Sequence, residues 1–131
     1  MATVSGAIAL RHRRFWLGLW WCAVLAVIAA CLLPPPSLDL PQNSDKLEHF
    51  LAYFILAGSG VQLWQGWRAL VVLGIGLIAL GLGIEFAQGA LTAARVADPL
   101  DAVANTIGVL AGLSLAATPL GRLLQRWQAP R

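Results

Sequence analysis

Residues 95–112 read RVADPLDAVANTIGVLAG. An arginine, two aspartates and an asparagine stand at the mouth of an otherwise apolar segment. On a helix opening at Pro99, Asp101, Asn105, Gly108 and Gly112 recur at spacings of four, three and four, which sets them on one face. Charged and amide groups at the end of a membrane-length segment are costly unless they are paired, wetted or used. This stretch therefore decides the fold class and marks where function is to be sought.

The rest of the chain agrees. Of its 131 residues, 59% are hydrophobic and 11% charged, whereas a soluble domain carries about a quarter charged residues. An all-α, polytopic membrane protein follows. At about 20 residues per span, the length has room for four transmembrane helices and no separate soluble domain. The expected layout is a basic N-terminus at 1–14, a helical transmembrane domain at 15–118 and a basic tail at 119–131. Within the domain, an apolar run at 15–33 ends at Pro34, Pro35 and Pro36, which lack amide donors and cannot continue a helix. An extended loop at 34–44 leads to a second helix at 45–64, a turn at 65–68 and a third span at 69–91. A loop at 92–98 precedes the fourth helix at 99–118, which Pro119 closes.

Positive charge predicts the orientation. Arg11, Arg13, Arg14, Arg68, Arg122, Arg126 and Arg131 fall on one side, and only Lys46 and Arg95 on the other. Both termini are therefore expected in the cytoplasm. The six tryptophans cluster toward the cytoplasmic ends, as an interfacial belt does, and the six acidic residues toward the outer side. The N-terminal region also has the form of a secretory signal, and Ile28-Ala29-Ala30-Cys31 resembles a lipoprotein cleavage box. The apolar run is long for a signal and more membrane segment follows it, so an uncleaved first helix is expected. Cys22 and Cys31, nine apart, are too far round a helix to bridge and read as small hydrophobes. The net charge of +3 is explained by topology, and no nucleic-acid partner is expected. Asp45–Glu48 and Asp98–Asp101 open helices two and four in a similar way, either as a parallel repeat or through capping alone.

Three polar sets converge on the outer side. Asp45, His49 and Tyr53 recur every four residues, with Ala57 and Gly60 continuing the face. Gly74, Gly81, Glu85 and Gln88 share a face of helix three, and Asp101, Asn105, Gly108 and Gly112 a face of helix four. Small residues at such spacing let membrane helices approach closely. The helices are expected to pack through these small faces below and to meet through polar groups above.

Several of these residues have purely structural readings. Asp45 with Glu48 fits a capping box. Asp98 before Pro99 is a natural N-cap, with Asp101 in the first turn where the helix dipole favours an anion. Lys46 can snorkel, and Tyr53 can be a buried ring. Such readings are weaker for His49, Glu85, Gln88, Arg95 and Asn105. Glu85 lies within the last turns of a span and needs a cation or a proton, and Arg95 is its natural partner. His49, Glu85, Asp98 and Asp101 could hold a divalent ion. A single outer histidine and no tight His/Cys spacing argue against that, so no metal and no cofactor are expected. No GxSxG or Walker motif is present.

The segment DKLEHFLAYFIL at 45–56, Glu85-x-x-Gln88, and Arg95-x-x-Asp98-x-x-Asp101-x-x-x-Asn105-x-x-Gly108-x-x-x-Gly112 resemble the VanZ-like membrane proteins in order and spacing, over roughly residues 15–118. The resemblance implies a four-helix bacterial inner-membrane protein. The name-giving member of that family is linked to low-level resistance to the glycopeptide teicoplanin, and the resemblance brings no established reaction. It places Asp45, Lys46, His49, Tyr53, Glu85, Gln88, Arg95, Asp98, Asp101 and Asn105 on the family's polar motif positions.

The leading expectation is an outward pocket that recognises, and in an enzymatic version modifies, the anionic head group of an envelope lipid or lipid-linked cell-wall precursor. Arg95 and Lys46 would hold the anion. His49 would transfer protons, with Glu85 or Asp101 orienting it. Asn105 and Gln88 would supply amide hydrogen bonds, and Asp45, Tyr53 and Asp98 would line the site. Two alternatives stand beside it: an accessory protein that binds another membrane protein or its own copy, and a small transporter element.

Overall fold

The computed structural model describes residues 8–33, 41, 44–91 and 97–128. Among them the order is α1 (Arg13–Leu32), α2 (Ser44–Val61), α3 (Trp67–Leu91) and α4 (Pro99–Ser114). Two 3-10 turns, Leu115–Ala117 and Pro119–Arg122, and a short α5 (Leu123–Trp127) complete the chain. The all-α expectation holds for the described residues.

α1, α3 and the stretch Pro99–Ala117 are long and apolar enough to cross a membrane. α2 has 18 residues and spans about 27 Å at the helical rise, close to the thickness of a hydrocarbon core. Its first turns carry Asp45, Lys46, Glu48 and His49, which dilute its apolar character. Phe15, Val72, Ile75, Phe86, Ile107 and Leu110 point outward from three different helices. Water does not tolerate apolar surface on that scale, and a bilayer does.

Helix ends follow local chemistry. Leu33, which precedes Pro34, takes φ −77° and ψ 153°, the extended conformation that a following proline favours. Asp98 is the N-cap of α4, with Pro99 in the first turn, as its sequence reads. α2 stops at Val61 rather than reaching residue 64. Leu63 and Trp64 N–H both fold back onto the Gly60 carbonyl, and Leu63 O accepts from Ile8 N–H at 3.1 Å. Gly66 then turns the chain with φ 92°, a left-handed conformation that costs glycine little. α2 opens at Ser44, so Asp45 lies inside the first turn, near the positive end of the dipole, and not at the cap that a capping box requires.

α2 and α4 make the most extensive helix pair. Gly108 and Gly112 allow it. A β-carbon on Gly108 would collide with the Phe50 carbonyl oxygen and lie 3.1 Å from Phe54 N; one on Gly112 would lie 2.6 Å from Ala57 Cβ and 2.7 Å from Phe54 O. Backbone-to-backbone approach of this kind is the usual adhesive between membrane helices, where apolar burial drives little association. α3 joins through Gly60, which faces Leu73, and Gly74, which faces Leu113. α1 is anchored by Trp20, whose indole N–H donates to Leu56 O at 3.0 Å and whose ring meets Trp64 edge-on at 5.1 Å.

The two ends of the bundle differ in chemistry. One gathers all six tryptophans, with Arg13 donating to Leu63 O at 2.8 Å and lying over Trp64. The chain after α4 docks at this end rather than trailing away. Gln62 donates to Leu120 O at 2.8 Å and accepts from Leu124 N–H at 3.1 Å, and Trp16 meets Trp127 edge-on. The opposite end gathers the first turns of α2 and α4 and the last turns of α3, and with them the buried polar residues.

Candidate functional site

Three helices deliver the site. α2 supplies Lys46, His49 and Tyr53 at successive turns, α3 supplies Glu85 and Gln88 from its last turns, and α4 supplies Asp101 and Asn105 from its first. His49 is 7% exposed, Glu85 6%, Gln88 2%, Asp101 7% and Asn105 2%. Five polar side chains are thus withdrawn from solvent at one end of an apolar bundle. Gly81 makes the room: a β-carbon there would lie 3.1 Å from Asn105 Nδ2 and 3.5 Å from the Tyr53 ring.

His49 has a polar neighbour at each ring nitrogen. Nδ1 lies 3.0 Å from Asn105 Oδ1. A carbonyl oxygen only accepts, so Nδ1 carries the hydrogen and Nε2 is left to face Asp101 Oδ2 at 3.6 Å. The group that orients the ring is therefore Asn105, with Asp101 beyond hydrogen-bond length. Glu85 Oε2 accepts the Asp98 N–H at 3.1 Å, which ties the end of α3 to the start of α4. Gln88 donates to Cys31 O at 2.7 Å, which ties the same turn to the end of α1.

Lys46 forms the outer edge. Its ammonium lies 3.1 Å from Asp98, 3.6 Å from Asp101 and 3.7 Å from Asp45. Asp98 has a second task, accepting from Leu100 N–H at 2.9 Å. That N–H first, and the Lys46 ammonium after it, hold the Asp98 carboxyl below the usual carboxylate range. A lowered value means that the cap's contribution is complete above the ordinary carboxylate pKa and is lost as the pH falls below it. Asp45 is exposed at the rim. Arg95 lies outside the described residues.

Tyr53 Oη, Glu85 Oε1, Asp101 Oδ1 and Asn105 Nδ2 are buried with no hydrogen-bond partner among the described residues. Each such atom costs about 1–3 kcal/mol, and native folds keep few of them. Four in one cluster, drawn from three helices, set this end of the bundle apart from the rest of the described residues. Two more, Trp16 Nε1 and Gln128 Oε1, lie at the tryptophan end. An apolar groove of about 770 Å³ also opens at that end, lined by Trp16, Trp20, Phe54, Ile55 and Trp127 among others. It holds no titratable side chain and is separate from the polar cluster.

Of the sequence candidates, the structure brings His49, Tyr53, Glu85, Asp101 and Asn105 together in the interior, places Lys46 and Asp98 at its edge, and turns Gln88 toward α1. Gly81 and Gly108 act on the site only by giving it space. Comparison of the chain with family models, with curated proteins and with solved structures gives no match.

Proposed function

We propose that this is a VanZ-like, four-span protein of the bacterial inner membrane, with both termini cytoplasmic, whose outward polar pocket recognises the anionic head group of an envelope lipid or lipid-linked precursor. The observation that supports the reading is the set of four buried polar atoms with no hydrogen-bond partner among the described residues, close to Lys46. A pocket at the membrane surface of an otherwise apolar bundle meets lipid head groups first. Lys46 and Arg95 supply positive charge for phosphate or carboxylate. Tyr53 and Asn105 supply donors, and His49 is the proton-transfer group in an enzymatic version of the reading. The family part of the reading rests on the motif residues, and the orientation on the arginine distribution. Below the pocket, Gly108 and Gly112 of α4 close against α2, which disfavours a transport path within one chain.

Two measurements test this. Cysteine-accessibility labelling in whole cells should tag positions 45 and 98 from outside and positions 13 and 126 only after permeabilisation; the reverse pattern would invert the pocket. For the ligand, the purified protein in nanodiscs is offered radiolabelled polyprenyl phosphate and phosphatidylglycerol. Binding should fall at least about tenfold in Arg95→Ala and in Lys46→Ala, the loss of one charge-assisted contact of roughly 1.5–3 kcal/mol. Equal binding by folded variants would sink the head-group reading.

A further inference from the structure

We propose that His49, Glu85 and Asp101 bind a divalent transition-metal ion, Zn²⁺ or Mn²⁺, between α2, α3 and α4. One donor atom from each residue lies within 4.8 Å of the other two, and all three residues are buried. Sequence spacing argues against a metal here, because the ligands are single residues on three helices with no shared local motif. It is the bundle that assembles them.

Three features favour an ion over a self-contained ion-pair network. The first is the direction of His49. With Nδ1–H donated to Asn105, Nε2 is left facing the Asp101 carboxylate across 3.6 Å, longer than a hydrogen bond. A neutral imidazole there needs a cation between its lone pair and the carboxylate, and the gap has room for one. Donors bound to one tetrahedral metal at about 2.1 Å are themselves about 3.4 Å apart, close to the His49–Asp101 separation; the Glu85 donor lies within 4.8 Å of both. The second is the outer contact of the histidine. A ligating imidazole commonly donates its other N–H to an oxygen that fixes its tautomer, and Asn105 does so here.

The third feature is unfilled acceptor capacity. Glu85 Oε1 and Asp101 Oδ1 are buried carboxylate oxygens with no hydrogen-bond partner among the described residues. The Lys46 ammonium approaches Asp101 at 3.6 Å but is shared with Asp98 and Asp45. A divalent ion beside His49 Nε2 and Asp101 Oδ2 would give the buried Glu85 oxygen a partner, while Lys46 stands on the Asp101 Oδ1 side. One imidazole with two carboxylates suits zinc or manganese better than magnesium or calcium, which favour all-oxygen shells. His49 then serves as a ligand and not as a proton carrier. Three protein donors leave a coordination position open. If the head-group reading holds, an oxygen of the bound phosphate or carboxylate fills it.

The test uses the full chain, purified in mild detergent with its affinity tag removed. Metal content is measured by plasma mass spectrometry, and after chelation the protein is titrated with Zn²⁺, Mn²⁺, Mg²⁺ and Ca²⁺. Calorimetry gives stoichiometry and affinity, and thermal unfolding gives an independent readout. The expected result is one Zn²⁺ or Mn²⁺ per chain, with an unfolding midpoint that rises on loading. Glu85→Gln and Asp101→Asn, which keep side-chain size, should weaken binding more than about a hundredfold. Asn105→Ala, which acts through His49, should weaken it about 10- to 100-fold. His12→Ala should change nothing. Absence of a stoichiometric ion, or binding of equal strength in Glu85→Gln and Asp101→Asn, would overturn the proposal and leave the counter-charge to a cation such as Arg95. Lipid binding measured in the chelated protein separates this outcome from the other: persistence there keeps the head-group reading whatever the fate of the ion, and loss restored by Zn²⁺ or Mn²⁺ joins the two.

Discussion

Gly108→Leu should prevent α2 and α4 from closing and leave the protein without a cooperative unfolding transition in detergent. Even the single β-carbon of Gly108→Ala meets the Phe50 carbonyl oxygen and sits 3.1 Å from Phe54 N and 3.2 Å from Phe50 C. These are backbone atoms of a facing helix, so no rotamer change relieves the clash, and the helices must move apart along their whole contact. Overpacking of a close-packed interior typically costs about 1–3 kcal/mol and occasionally more. For Gly108→Ala a loss at the upper end of that range is expected, and for Gly108→Leu a larger one. The control lies on the neighbouring helix. Gly76 and Gly83 have nothing within 4 Å of a built β-carbon, so Gly76→Ala and Gly83→Ala should be neutral or should gain up to about 1 kcal/mol from reduced chain freedom and better helix propensity. Chemical unfolding of the four variants in one detergent checks this. Comparable losses at Gly76 and Gly108 would mean that the α2–α4 contact does not have this geometry.

The same residues show how far spacing alone reaches. Gly108 and Gly112 lie four apart, on the face that also carries Asp101 and Asn105, and that much is legible in residues 95–112. Spacing identifies a face and is silent on its partner. That α4 lies closest to α2, with Gly112 against Ala57 and Gly58, depends on how four helices share lateral contacts, which no single helix encodes. The site shows the same limit. His49, Glu85, Asp101 and Asn105 are legible as costly intramembrane groups, yet the sequence offers Glu85 and Asp101 as equal candidates to orient His49, and the bundle gives that position to Asn105. Asp45 shares the heptad-like face of His49 and Tyr53 but lies one turn too far out to be buried. Gln88 reads as an amide for a ligand, and it reaches the main chain of α1 at Cys31 because the ends of α1 and α3 lie side by side. Residues 119–131 read as a basic tail, after a fourth helix that is expected to reach residue 118 and ends at Ser114. The tail's docking depends on Gln62, a polar residue near the end of α2 that pattern reading passes over.

The charge distribution links fold to function more closely than any one contact does. At the tryptophan end, Arg13 and Gln62 bind main-chain groups left open at helix ends, and such pairings complete helices whose last carbonyls have no internal partner; two buried side-chain atoms there, Trp16 Nε1 and Gln128 Oε1, have no hydrogen-bond partner among the described residues. At the polar end the helix-end needs are met by Asp98 and by Glu85 Oε2, and the larger share of the buried acceptors and donors without a hydrogen-bond partner among the described residues lies here. Capping accounts for Asp98 and a snorkelling anchor for Lys46, and neither accounts for Tyr53 Oη, Asn105 Nδ2 or Glu85 Oε1.

Tyr53 allows that set of atoms to be tested by subtraction, and its two substitutions should move in opposite directions. Its side chain is 0% exposed and packs beside Asn105 over Gly81. Tyr53→Ala removes a full ring from the junction of α2, α3 and α4. Loss of a buried aromatic ring costs about 3–5 kcal/mol, so a large fall in the unfolding midpoint is expected. Tyr53→Phe keeps the ring and deletes only a hydroxyl that has no hydrogen-bond partner among the described residues. Removing an unsatisfied buried polar atom is neutral or favourable, by up to about 1–3 kcal/mol, so the apo protein should be unchanged or stabilised. A hydroxyl bound into a structural network gives the opposite sign, a loss of about 1 kcal/mol. The decisive comparison is made with and without ligand. If the hydroxyl belongs to the pocket, Tyr53→Phe should match or exceed the wild-type midpoint when empty and show a smaller upward shift when lipid or metal ion is added. A variant that is less stable when empty and shifts as the wild type does would place Tyr53 in the scaffold and move the pocket outward, toward Lys46 and Asp98.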